Sequence, residues 1–209
     1  MRLEAPTQTT GSRVLYGNSR GHRFGCMGGI GRFGILAVCS PDPVLSVAAP
    51  LGLAASAGTA LVVDIAGGLR LTSDRTLADL AGEGPKHAEL SPGRQGVAVL
   101  AAGPIEAGDA ISIIERLAVG WPAVVVRVSG EEWPGPTVPV EPLYPGWLAP
   151  SDRGAAVWQS MVRGSRPPGP GPVLPRLRSR TTLQLLAGQL PRRSRWVRAW
   201  EQVWRMPWA

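Results

Sequence analysis

"GILAVCSPDPVLSVAAPLGLAASAGTALVVD", Gly34 to Asp64, reads as strand, helix and strand in succession. Gly34–Ser40 is a short apolar run ending at Cys39, the pattern of a strand covered on both faces. Leu45–Ala57 is rich in Ala and Leu and predicts a helix, and Thr59–Gly67 predicts a second buried strand. The uncharged stretch from Pro43 to Val63 is 21 residues, long enough to cross a bilayer. Pro50, Gly52, Gly58 and three hydroxyl residues favour helix, turn and strand instead.

The same alternation continues outward. "SDRTLADLAGEG" predicts a short helix capped by Ser73 and ended at Gly82, and "GVAVLAAG" a third strand. "EAGDAISIIERLAVG" predicts a helix with Ile111, Ile114 and Leu117 inward, and "PAVVVRVS" a fourth strand. Prolines confine Thr137–Val140 to an edge strand. "RGAAVWQSMVRG" predicts a helix, "SRPPGPGP" a stiff connector, Thr182–Ala187 a helix closed by Gly188, and Ser194–Met206 a last helix. Apolar strands alternating with helices specify an α/β fold, a doubly wound and mostly parallel sheet between two helical layers. The expected organisation is a flexible Gly/Arg-rich arm over 1–34, the α/β domain over 35–193, and a basic, tryptophan-rich helix over 194–209.

Charge is distributed unevenly. Residues 1–32 carry +4, residues 33–165 carry −5 and residues 166–209 carry +8, so attraction to polyanions belongs to the two ends. The N-terminal "MRLEAPTQTTGSR" lacks an apolar h-region, which argues against a secretory signal. Cys26 and Cys39 form no metal-ligand pattern, and His22 and His87 have no visible catalytic partners and read as surface residues. No nucleophile-elbow motif is present, so no catalytic residue and no metal ligand is assigned.

Ligands of such sheets bind beyond the strand C-termini, which directs attention to "SPDPVLS" after the first strand. Here the chain resembles the ParA/MinD family of P-loop ATPases, in particular its pilus-assembly and septum-positioning branch. Ser40 and Pro41 match the start of that family's phosphate loop, and Ser46 the magnesium-binding hydroxyl. Leu45 replaces the phosphate-binding lysine, Asp42 adds a negative charge, and Pro41 and Pro43 offer no N–H to a phosphate. Asp64 corresponds to the aspartate of the family's second strand, and Arg127 replaces the aspartate ending its Y-V-V-V-D strand. An Arg127 paired with Asp64 and an Arg127 solvated at the surface are both compatible with the sequence.

The tail "RRSRWVRAWEQVWRMPW" places Trp196, Trp200 and Trp204, with Val197 and Val203, in one helical sector of about 120°. Arg195, Arg198 and Arg205 lie outside that sector. Packing on the domain, docking on an anionic membrane surface, and nucleic-acid binding remain three readings of this segment. The resemblance implies a bacterial, nucleotide-independent and non-catalytic scaffold or positioning protein without cofactor, in the cytoplasm or at the inner face of the membrane. The implied partners are an active ATPase of the same fold or a pilus, secretion, conjugation or division component. A nucleic-acid-binding accessory protein and an atypical nucleotide-binding ATPase are the alternatives.

Overall fold

The structure, a computed structural model, describes residues 33–69, 75–86, 96–130, 133–145, 154–189, 191 and 193–208. Strands β1 (Gly34–Cys39), β2 (Ala60–Asp64), β3 (Val97–Ala101), β4 (Ala123–Arg127), β5 (Thr137–Leu143), β6 (Val157–Ser160) and β7 (Val173–Leu174) form one sheet. Its order is β3-β2-β4-β1-β5-β6-β7, and every pairing is parallel. Helices α1 (Pro43–Ala57), α2 (Leu77–Glu83), α3 (Ala107–Ala118), α4 (Ser179–Leu186) and α5 (Arg195–Ala199) lie outside it, and α5 runs on into a 3₁₀ helix, Trp200–Arg205. This is the doubly wound three-layer fold that the alternation predicts.

The period of two along the strands divides the core. Leu36, Val38, Val62 and Val125 face α1, α4, α5 and the 3₁₀ helix, whereas Ala37, Leu61, Val63 and Val124 face α2 and α3. Helix α1 is the most deeply covered helix, with nine buried residues that include Leu45, Ala49, Gly52 and Leu53. Asp42 caps it by accepting hydrogen bonds from the Val44 and Leu45 amides, both at 2.9 Å, and Pro43 occupies the first turn, where its missing N–H costs nothing. No helix among the described residues is long and apolar enough to cross a membrane.

Four local expectations are corrected. Strand β5 is interior, between β1 and β6, not an edge. It accommodates its prolines because the two neighbours are staggered: β1 pairs only as far as Pro139, and β6 pairs from Val140 to Leu143. Residues 157–160 form β6 rather than a helix; Val157, Trp158 and Gln159 are all buried, and Trp158 Nε1 donates to the Pro170 carbonyl of the proline-rich segment. Thr76 caps α2, forming a reciprocal capping box with Asp79, and the helix continues through Gly82 to end at Gly84. Ser73 lies outside the described residues. The inward side of α3 is Ala110, Ile113, Ile114 and Leu117, with Ile111 only half-buried.

Candidate functional site at the strand ends

The chain turns to one side of β1 to build β2 and β3 and to the other for β5 to β7, so the crevice beyond Cys39 is the topological switch point. The residues gathered there are those that the phosphate-loop comparison selects. Ser40 Oγ donates to the Val140 carbonyl at 2.6 Å and accepts from the Asp42 amide at 3.3 Å. The Asp42 carboxylate holds the first free amides of α1, the groups that a helix N-terminus would present to an anion. Leu45 points into the core, only 1% exposed. Ser46 turns its hydroxyl back to the Pro43 carbonyl at 3.0 Å.

Arg127, at the end of β4, closes the crevice. Its Nη1 donates to Asp64 Oδ1 at 2.7 Å and also to the Gly67 carbonyl, while its Nε donates to the Ser46 carbonyl at 2.8 Å. The other Asp64 oxygen accepts the Leu69 amide at 2.8 Å. Asp64 is 1% exposed and the Arg127 side chain 11%, so the ion pair is largely withdrawn from water. A buried pair is tolerable only with further hydrogen bonds, and here the Ser46 and Gly67 carbonyls accept from Nε and Nη1 of Arg127 while the Leu69 amide donates to Asp64. Of the two sequence readings of Arg127, the paired one describes the structure.

The bond to Ser46 has a cause in the sequence. Within α1 the Ser46 carbonyl would accept from the amide four residues on, but that residue is Pro50, which has no N–H. The proline frees an acceptor, and the arginine supplies its donor. Sequence reasoning missed this coupling, although a proline four residues after Ser46 signalled it. Among the described residues no three His, Cys, Asp or Glu side chains come together in a group that could hold a metal ion. His22, His87 and Cys26 lie outside the described residues.

The tail residues sit elsewhere. Trp196, Val197, Trp200 and Val203 are buried in the α1-side core, and Trp204 is half-buried, its Nε1 shared between the Leu53 carbonyl at 3.2 Å and Ser56 Oγ at 3.1 Å. Arg195, Arg198 and Arg205 are exposed. The rings of Trp196 and Trp200 meet edge to face, centroids 5.5 Å apart, over Gly52, where a Cβ would overlap the Trp196 ring. Trp196 Nε1 donates to Gln159 Oε1 at 2.6 Å, and Gln159 Nε2 donates to the Ser160 and Pro175 carbonyls, which accounts for a glutamine buried in β6. The expected single helix is split because 3₁₀ winding places Trp200 and Val203 on one line, both facing inward. No protein family, curated protein or solved structure was found to match the chain.

Proposed function

We propose that the protein is a nucleotide-independent relative of the ParA/MinD ATPases that works as a scaffold or positioning factor through protein contacts. The observation that carries this reading is the Arg127 network: a guanidinium of the chain itself occupies the strand ends and is held by Asp64, Ser46 and Gly67. In the ATPases that the sequence resembles, those strand ends serve magnesium and phosphate. A magnesium ion there would meet a fixed positive charge, and a phosphate at α1 would compete with the Asp42 carboxylate for the same amides. Partners in keeping with the resemblance are an active ATPase of the same fold or a component of a pilus, secretion, conjugation or division machine. A nucleic-acid accessory role and atypical ATP binding are the competing functions.

Thermal unfolding with increasing Mg-ATP tests the proposal. A ligand that binds only the folded chain raises its stability by RT ln(1 + [L]/Kd), about 2.7 kcal/mol at a hundredfold excess over Kd. The expected outcome is a midpoint that does not move up to millimolar Mg-ATP. A concentration-dependent rise, matched by saturable heat in calorimetry, overturns the proposal.

A further inference from the structure

Helix α4 exposes two of its three leucines. Thr181 and Leu185 form its buried side, with Thr181 Oγ1 3.4 Å from Ser194 Oγ at the start of α5. Its outward side is centred on Leu183, 67% exposed, with Leu186 at 41%. These are the exposed leucines of the described residues, and they share one face because they are three positions apart. The edge strand β7 before α4 adds Val173, 42% exposed.

The surroundings are cationic. Arg176, Arg178 and Arg180 lead into and begin α4, and the Thr181 to Ser194 contact brings Arg193 and Arg195 to its start. All five are exposed, and none forms an ion pair among the described residues. The described part of 154–208 carries nine arginines against Glu201.

We propose that the outward face of α4, Leu183 and Leu186 among Arg176, Arg178 and Arg180, is a docking surface for an anionic lipid bilayer. Leucines enter the acyl boundary while guanidinium groups stay with the lipid phosphates, a division of labour that needs both residue types on one face. A second copy of the chain fits poorly, because symmetric pairing of α4 would bring arginines against arginines. A phosphodiester backbone would use the arginines and leave the leucines in water. The tryptophan segment is not this surface, since Trp196, Val197, Trp200 and Val203 are already spent on α1. The inference is independent of whether the strand ends bind nucleotide.

The test is co-flotation of the full chain with vesicles of phosphatidylcholine alone and of phosphatidylcholine with phosphatidylglycerol. The parent chain is expected to float only with the anionic vesicles. Leu183→Glu with Leu186→Glu should lower partitioning at least about tenfold, since two inserted leucines are replaced by charges. Arg178→Glu with Arg180→Glu should lower it at least about thirtyfold, at roughly 1 kcal/mol for each of the two basic residues lost. Exposed positions should leave far-UV circular dichroism and the melting midpoint unchanged; if the glutamates unfold the chain, Leu183→Gln with Leu186→Gln carries the same expectation. Absence of vesicle binding overturns the proposal, as does binding indifferent to the leucine changes. Retention on duplex DNA, insensitive to those changes and without vesicle binding, overturns it in favour of a nucleic-acid surface.

Discussion

The two sides of the sheet, divided at β5, treat charge in opposite ways. On the β1 to β4 side the described residues carry seven acids and four bases, and the charges at the strand ends are held by the chain itself, Arg127 by Asp64 and Asp42 by the α1 amides. On the β6 to β7 side nine arginines stand against one glutamate, and none is ion-paired among the described residues. Paired charge is a structural use of polarity, and unpaired charge of one sign is a field offered to something else. At the strand ends of β1, β2 and β4 the polarity is turned inward; on the β6 to β7 side it faces out.

The largest way to break this comparison is to separate the two sides. Trp200, fully buried on Gly52, joins the basic side to α1, so Trp200→Ala should cost about 4 kcal/mol. Urea unfolding followed by fluorescence and by circular dichroism should shift as one transition; two resolved transitions would mean that the sides are separate folding units.

Next comes the strand-end network. Arg127→Met leaves Asp64 buried without its partner and should lower stability by about 3 kcal/mol. A cycle with Pro50→Ala sharpens the point: restoring the amide to α1 gives the Ser46 carbonyl a helical donor, and Arg127→Met should then cost about 1 kcal/mol less. Equal costs in both backgrounds would dissolve the coupling between the proline and the arginine.

The smallest effect concerns the α2 cap. Hydrogen bonds from the Thr76 backbone and then its hydroxyl hold the Asp79 carboxyl below the usual carboxylate range. A lowered folded value means that this contribution is fully present above the unfolded pKa near 3.8 and is lost as pH falls through the lower folded value. Thr76→Ala should cost about 1 kcal/mol at neutral pH and flatten the acid limb of a stability profile below about pH 4. An acid limb identical to that of the parent would assign it to other carboxylates.

Legibility followed the same division. The elements from Gly34 to Arg127 could be read because each apolar run was long enough to show its period and Gly58 punctuates it, although the helix start at Asp42–Pro43, two residues before Leu45, went unread. Arg127 was legible as a charged residue ending a buried strand, but its contact with Ser46 depends on how α1 lies against β4, which no local pattern states. Residues 157–160 were misread because "AAVWQS" suits a helix or a strand, and only the burial of Trp158 and Gln159 on both faces decides it. The exposure of Leu183 was invisible for the converse reason: a leucine in a short mixed helix reads as core until its neighbours are placed.

The bond from Trp204 to the Leu53 carbonyl spans 151 residues, and it has a consequence for synthesis. A ribosome adding about 5 to 20 residues per second completes α1 roughly 8 to 30 s before it delivers the tryptophans that cover it. During that interval the first strand-helix-strand unit is in the cell with the outer face of its central helix bare. Until residues 196–204 emerge, the nascent chain carries an uncovered apolar helix face, the kind of surface that makes a folding intermediate prone to aggregate.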